Sequence, residues 1–170
     1  MLLIVDAGNS RTILALYGPQ GVIRQVGLDT ADLREGTDLE AAWRELEVVG
    51  PLDGVAVASV VPSRESVLAA ALRDLTGHEP FWVYPGRTAS LPIHYQAVEA
   101  LGADRLANAE AALAAYGPQV VVVDLGTALT VDLVRDGAFQ GGLIFPGRGA
   151  AGRALSADAE ALPAVPGSGE

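Results

Sequence analysis

The chain opens on the stretch Leu2-Leu3-Ile4-Val5-Asp6-Ala7-Gly8-Asn9-Ser10, and the later stretch Val120-Val121-Val122-Val123-Asp124-Leu125-Gly126-Thr127 repeats its pattern. In both places an apolar run typical of a buried strand is followed by Asp, by a Gly two positions later and by a small polar residue. Turns at strand ends can place such side chains at a crevice. The repeat therefore predicts two matching half-sites that hold a phosphate and its metal ion between two domains.

Composition limits the classes of partner. The 170 residues suffice for one large or two small domains, and half of them are apolar. The net charge of −10 argues against nucleic acid and against an anionic membrane surface, because both need basic patches. An acidic protein can still bind a nucleotide when Mg²⁺ carries the positive charge.

Two residue types are missing, and each absence excludes a kind of site. Without Cys there is no disulfide, thiolate chemistry or Cys-ligated zinc. Without Lys there is neither a P-loop nor the lysine-dependent site of protein kinases, and all eleven basic residues are Arg. Any phosphate must therefore be held by backbone N–H groups, Arg, hydroxyls or a metal ion.

Targeting signals are not evident. The first residues lack a basic leader and a long apolar segment, and no run approaches the ~20 apolar residues of a membrane span. We expect a soluble, cytoplasmic protein.

Periodicity and turn residues predict two strand meanders with helices between them. The predicted strands are 2–6, 12–17, 22–27, 54–60, 81–84, 120–124, 130–134 and 138–144, with a hairpin at Asp136-Gly137. Four helices are predicted. The first begins at residue 37, the second covers 63–75 with Ser63 as N-cap and Gly77 as stop, and the others cover 104–116 and 148–161. A loop is predicted over 86–96.

The position of the second meander suggests how the chain divides. We expect a first domain over residues 1–117, a second over 118–162, and a disordered Pro/Gly/Ser-rich tail over 163–170.

Three groups of residues outside the apolar runs could carry chemistry. In the paired turns, Gly8 and Gly126 would admit an anion close to the backbone, with N–H groups and the side chains of Asn9, Ser10 and Thr127 as donors. The alternative is a plain tight turn in which Asp bonds its own backbone.

The second group is Gly102-Ala103-Asp104-Arg105-Leu106, which precedes an Ala-rich helix. Asp104 is a candidate general base and Arg105 a carboxylate or phosphate clamp, and Tyr95 could line the same cleft. The alternatives are Asp104 as helix N-cap, a solvated Arg105 and simple packing of Tyr95. A helix N-terminus lowers a carboxylate pKa and weakens a base, but a late proton acceptor in loose phosphoryl transfer could still work.

The third group is Gly141-Gly142-Leu143-Ile144-Phe145-Pro146-Gly147. Glycines inside a strand mark a bulge or a close approach, and Pro-Gly marks a turn into a helix whose N-terminus could bind an anion. A bulge and turn without a ligand are the alternative.

Together these motifs resemble the type III pantothenate kinase family of the acetate kinase/Hsp70/actin-like superfamily. The matching segments cover residues 2 to 147 in family order: Asp6 to Ser10, Ala58 to Pro62, Gly102 to Leu106, Asp124 to Thr130 and Gly141 to Gly147. The resemblance implies an α/β fold of duplicated actin-like (ribonuclease H-like) domains with mixed sheets. It also implies ATP-dependent phosphorylation of pantothenate, the first step of coenzyme A synthesis, by a homodimer.

The resemblance assigns roles to individual residues. It implies Mg²⁺ at Asp6, a monovalent cation (K⁺ or NH₄⁺) at Asp124, and Asp104 as the proton acceptor from the pantothenate hydroxyl. The ATP phosphates would contact Asp6, Gly8, Asn9, Ser10, Arg11, Gly126 and Thr127. Pantothenate would contact Tyr95, Gly102, Ala103, Asp104 and Arg105, with a pocket completed by the partner subunit.

Three departures from the family pattern shape the expectation. Family chains are longer, so the second domain is expected to be incomplete and the 170 residues alone to show weak or no kinase activity. Ser10 replaces the usual Thr, and Ala159-Glu160-Ala161-Leu162-Pro163 lacks the Thr of the family's Thr-Ala-x-Leu-Pro segment. The alternatives are a catalytically impaired homologue with a binding or regulatory role, or another phosphotransferase or phosphohydrolase of the superfamily.

Overall fold

A computed structural model describes residues 1–33 and 37–158. These residues form two compact units, one of Met1–Ala89 with Ala97–Ala107 and one of Ser90–Gln96 with Asn108 onward. The division after Ala107 falls within a helix, and the domain boundary expected between residues 117 and 118 stays a prediction. The expected tail, the Ala159–Pro163 segment and the end of the helix expected over 148–161 lie outside the described residues.

The first unit contains a mixed five-stranded sheet. Its strands are β1 (Leu2–Ala7), β2 (Arg11–Gly18), β3 (Gly21–Asp29), β4 (Gly54–Ser59) and β5 (Phe81–Trp82). Their order is β3-β2-β1-β4-β5, with the first three antiparallel and with β4 and β5 parallel to β1. The predicted opening meander and the predicted strand over 54–60 are confirmed.

Helices follow the strands in the first unit. The first unit holds α1 (Thr37–Leu46), α2 (Pro62–Thr76) and the start of α3 (Ala103–Tyr116), with single 3₁₀ turns at Thr30–Asp32 and Val98–Ala100. From Asn108 onward α3 belongs to the second unit. The prediction that Ser63 caps α2 is wrong, because the helix begins at Pro62 with Val61 as N-cap. Proline suits the first helical turn, whose N–H groups lack intrahelical partners. Gly77 ends α2 in the left-handed conformation (φ 72°), as predicted.

Strand alternation places the core of the first unit on one face of its sheet. Leu3, Val5 and Ala7 of β1 are buried, whereas Leu2 and Asp6 on the opposite face are exposed. Helices α1 and α2 contribute buried leucines to the same cluster, namely Leu39, Leu46, Leu68 and Leu72. This packing leaves the Asp6 side of the strand end outside the core.

The second unit repeats the meander. Strands β6 (Gln119–Leu125), β7 (Ala128–Arg135) and β8 (Ala138–Pro146) form an antiparallel sheet in chain order, followed by α4 (Arg148–Asp158). Asp136 (φ 54°) and Gly137 (φ 73°) both have positive φ, as a type I′ hairpin requires. The predicted repeat of strand, turn and returning strand is confirmed. Among the described helices, none is long and apolar enough to cross a lipid bilayer.

Core packing of the first unit gives a stability prediction. Leu68 on α2 is fully buried, so Leu68→Ala should lower the free energy of unfolding by about 2–5 kcal/mol through lost burial and a cavity. The control is Leu155→Ala on α4, where the side chain is 57% exposed, with an expected change within about 0.5 kcal/mol. Urea unfolding measures both, and equal losses would contradict this assignment of the core.

Candidate functional site

The first Asp-x-Gly turn joins β1 to β2. Asp6 is exposed near the end of β1, where it lies opposite Ile13 of β2 and Ala58 of β4. Beyond Ala7 the chain turns through residues 8–11, closed by the Gly8 N–H, which donates to the Arg11 carbonyl at 3.0 Å. The turn presents Asn9, Ser10 and Arg11 at the surface.

Two glycines make room for this turn. A Cβ on Gly8 would lie 3.0 Å from the Arg11 carbonyl oxygen, tighter than ordinary contact. A Cβ on Gly27 of β3 would lie 2.7 Å from Arg11 Nη2, so the guanidinium lies across the face of that glycine. The close packing explains why glycine follows Asp6 at this spacing, and it leaves backbone that an anion can approach closely.

The second turn joins β6 to β7 and is one residue shorter. Its loop is residues 126–128, since Leu125 pairs with Leu129, and the Gly126 N–H donates to the Ala128 carbonyl at 3.0 Å. A Cβ on Gly126 would have only an ordinary contact, 3.7 Å from that carbonyl. The two half-sites therefore match in topology and in the position of Asp, but they differ in the length and tightness of the turn.

Asp124 has a neighbour that the sequence analysis did not identify. Asn108 Nδ2 donates to Asp124 Oδ2 at 3.4 Å, a long hydrogen bond between α3 and the end of β6. Asn108 lies four residues after Asp104 on the same helix, and that i, i+4 spacing is the signal that could have identified it.

Asp104 lies inside the first turn of α3. The helix begins at Ala103, so the alternative of Asp104 as N-cap is wrong. Its Oδ1 accepts a hydrogen bond from the Arg105 N–H at 2.7 Å. A Cβ on Gly102 would lie 2.3 Å from the same oxygen, so a larger residue there would require the half-buried Asp104 side chain to move. Arg105 is 6% exposed, so the alternative of a solvated side chain is also wrong.

Tyr95 is held on the edge of the second sheet. Part of the predicted loop over 86–96 pairs with β8: Ile93 forms a parallel bridge to Phe139, and the His94 N–H donates to the Phe139 carbonyl at 2.8 Å. The Tyr95 ring then packs edge-on against Phe139, with centroids 6.5 Å apart. A Cβ on Gly141 would lie 3.2 Å from the Tyr95 ring.

The glycines of β8 are explained by what lies against them. The pairing of β7 with β8 shifts register between Asp132 and Val134, opposite Gly141, whose φ is 100°; the predicted bulge is confirmed. A Cβ on Gly142 would lie 2.2 Å from the Val131 carbonyl oxygen and 2.4 Å from Asp132 Oδ1. The groups that approach Gly142 closely, as predicted, are therefore the Val131 backbone and the Asp132 carboxylate.

Asp132 itself was missed by the sequence analysis. Its carboxylate is 1% exposed and lies on the same face of β7 as the buried Thr130. Two polar residues at alternate positions of an apolar strand are the signal that could have identified them.

Gly147 supports the second turn from the start of α4. Its N–H donates to the Thr127 carbonyl at 3.0 Å. A Cβ on Gly147 would lie 2.2 Å from the Gly126 carbonyl oxygen and 2.5 Å from that of Thr127. The conformation of the Gly126–Thr127 turn thus depends on a residue about twenty positions later in the chain.

The carboxylates suit a cation that shares its ligands with a substrate. Within residues 1–33 and 37–158, no three His, Cys, Asp or Glu side chains are grouped so that they could hold a metal ion. Mg²⁺ in nucleotide sites is bound by one or two carboxylates, phosphate oxygens and water. Single carboxylates at strand ends, such as Asp6 and Asp124, fit that kind of site and do not fit an all-protein cage.

Contact between Gly147 and the second turn can be tested without a ligand. Gly147→Ala should shift the backbone NMR signals of Gly126 and Thr127 and lower the free energy of unfolding by about 1–3 kcal/mol, because the methyl group needs space that backbone occupies. Gly152→Ala in α4 is the matched control: its Cβ meets open space, and alanine should stabilise the helix by about 0.5–1 kcal/mol. Unchanged Gly126 and Thr127 signals in Gly147→Ala would refute the contact.

Structural comparison identifies the fold. A Campylobacter jejuni protein, described as a conserved putative Baf family transcriptional activator, superimposes with a TM-score of 0.57 at 20% identity, over 91% of this chain and 59% of that one. A ROK family glucokinase from Streptomyces griseus, solved with glucose and AMPPNP, gives 0.50 at 14% identity, over 85% and 47%. These likenesses confirm the expected actin-like architecture.

Sequence comparison identifies the family. The family model described as type III pantothenate kinase matches residues 2–169. A type III pantothenate kinase of Desulfosudis oleivorans is 35% identical over 171 residues, 97% of this chain and 67% of that protein, so the chain spans about two thirds of that relative's length. The shared name is that of a transferase and favours the predicted kinase over a non-enzymatic role. The chain belongs to the type III pantothenate kinase family.

Proposed function

We propose that this protein transfers the γ-phosphate of ATP to the primary hydroxyl of pantothenate, yielding 4′-phosphopantothenate for coenzyme A synthesis. The observation that carries the proposal is the half-buried Asp104 carboxylate, which accepts a hydrogen bond from the Arg105 N–H beside Gly102, in a chain that belongs to this kinase family. Family membership supports the reaction, and the position of the Asp104 carboxylate supports its assignment as the acceptor of the hydroxyl proton.

The phosphates of ATP bind at the paired turns. At the first, backbone N–H groups and the side chains of Asn9, Ser10 and Arg11 donate to phosphate oxygens, while Asp6 contributes to the Mg²⁺ site. At the second, Gly126 and the hydroxyl of Thr127 contact phosphate. The support is the exposure of Asn9, Ser10, Arg11, Gly126 and Thr127 at the ends of strands, since turn N–H groups form good anion sites.

Two cations offset the negative charge of the site and of ATP. Asp6 would hold Mg²⁺, which would neutralise charge on the phosphates, and Asp124 would hold K⁺ or NH₄⁺. Support comes from the single carboxylates at both strand ends and from Asn108, whose amide holds one oxygen of Asp124. A chain with a net charge of −10 needs such counter-charge to bind a polyanion.

Asp104 accepts the hydroxyl proton as the oxygen–phosphorus bond forms. In a loose, largely dissociative transition state Asp104 acts as a late acceptor of this proton. Arg105 provides a guanidinium that suits the pantothenate carboxylate, and Tyr95, Gly102 and Ala103 complete the substrate contacts. The low exposure of Arg105 supports this, since a partly desolvated guanidinium binds carboxylate more strongly.

The protein works in the cytoplasm as a homodimer, without nucleic acid or membrane as a partner. The acidic composition supports the absence of nucleic acid and membrane partners. Light scattering tests the dimer, and a monodisperse monomer at assay concentration would contradict it.

The choice of acceptor tests the reaction. Purified protein with ATP, Mg²⁺ and K⁺ should release ADP when pantothenate is supplied, at the low rate expected of these 170 residues alone, and should not do so with glucose or acetate. Mass spectrometry of the product should find phosphopantothenate. Phosphate transfer to glucose or acetate in preference to pantothenate would assign the chain to another activity of the superfamily.

Replacement of the proposed base gives a sharper prediction. Asp104→Asn keeps the shape of the side chain but removes the proton acceptor, so kcat should fall roughly 10²- to 10⁴-fold while ATP affinity stays unchanged. Asp74→Asn, at an exposed carboxylate of α2, removes the same charge and should leave kcat unaltered. Turnover of Asp104→Asn equal to that of the unchanged protein would eliminate Asp104 as the base.

A further inference from the structure

A buried pair of threonine hydroxyls lies against the first phosphate turn. Thr30 follows β3, and its hydroxyl donates to the Gly8 carbonyl at 2.7 Å. The hydroxyl oxygens of Thr12 and Thr30 are 2.9 Å apart. The backbone N–H of Thr30 also donates to the Ser10 carbonyl at 2.9 Å. One residue thus binds two carbonyls of the Gly8–Arg11 turn.

The direction of these hydrogen bonds follows from counting protons. A threonine hydroxyl has one hydrogen, and that of Thr30 is used by the Gly8 carbonyl. The Thr12 hydroxyl must therefore donate to Thr30, which gives a chain from Thr12 through Thr30 to Gly8. Thr12 is fully buried and Thr30 is 3% exposed, so the burial favours a fixed orientation because little water can compete.

This chain of hydrogen bonds orients a phosphate donor. In a trans peptide the C=O of one residue and the N–H of the next point in opposite directions, and no described peptide bond is cis. Because the Gly8 carbonyl points at the buried Thr30 hydroxyl, the Asn9 N–H points the opposite way within the same peptide plane, away from that hydroxyl. Asn9 is an exposed residue of the turn, so a ligand can approach it.

We propose that Thr30 is a positioning residue for phosphate binding: its hydroxyl and its N–H fix the Gly8 and Ser10 carbonyls and thereby aim the Asn9 amide at a phosphate of ATP. Thr12 acts through Thr30, because its hydrogen bond fixes the rotation of the Thr30 hydroxyl. The identity of the ligand rests on the proposed function, whereas the ordering of the turn does not.

Three variants test the proposal. Thr30→Val keeps the shape and removes the hydroxyl, which leaves the Gly8 carbonyl and the Thr12 hydroxyl without their partner. Thr30→Ser restores the hydroxyl. The matched control is Thr76→Val at the end of α2, where the hydroxyl likewise bonds backbone, donating to the Leu72 carbonyl at 2.6 Å.

Hydrogen exchange of the protein without ligand is the first measurement. Thr30→Val should speed exchange of the Gly8 amide on the order of tenfold, with amides in β4 and α2 unaffected. Thr30→Ser should retain most of the protection of the Gly8 amide against exchange, and Thr76→Val should retain all of it. Equal loss of protection throughout the first unit in Thr30→Val would show a merely structural role and overturn the proposal.

Titration with Mg·ATP is the second measurement. Thr30→Val should raise both the dissociation constant and the KM for ATP on the order of tenfold, with the KM for pantothenate unchanged. Thr30→Ser should restore the affinity for ATP. Unchanged ATP affinity, or no recovery in Thr30→Ser, would overturn the proposal. If the unchanged protein binds Mg·ATP but transfers no phosphate to pantothenate, the proposed function fails while the exchange and binding measurements still decide the role of Thr30.

Discussion

Pairing of β1 along both of its edges is the constraint on which the first Asp-x-Gly turn depends. The strand is antiparallel to β2 from Leu2 to Ala7 and parallel to β4 over the same residues. A slip of one residue would turn Asp6 into the leucine-rich core and bring buried side chains to the surface. The sheet therefore fixes where Asp6 lies and where the chain must turn, before any ligand is present.

Each half of the candidate site is then shaped by contacts from outside its motif. Thr30 hydrogen-bonds the first turn, and Gly147 packs on the second. Gly102 leaves space for the Asp104 carboxylate, and Gly141 lies under the Tyr95 ring. The glycine-rich segment of β8 is thus explained by packing, which does not require it to touch a ligand.

Local signals in the sequence predicted most of the fold. Apolar alternation predicted the two meanders, and the glycine at the end of α2 and the Asp136-Gly137 hairpin were predicted because each depends on a few adjacent residues. Contacts between distant residues gave no comparable signal. The Thr12–Thr30 pair, the bridge from Ile93 to Phe139 and the buried Asp132 arise only when strands align. The difference in length between the two Asp-x-Gly turns was also missed, because similar motifs do not show which residues of the two strands form the last pair before the turn.

The central proposal is that each Asp-x-Gly turn contributes contacts to the phosphates of ATP. Its most direct test is an NMR titration with Mg²⁺ and a non-hydrolysable ATP analogue, following the backbone amides. The account predicts saturable shifts at Gly8 and Asn9 in the first turn and at Gly126 and Thr127 in the second. Saturable shifts confined to other parts of the chain, with those four amides unmoved, would contradict it.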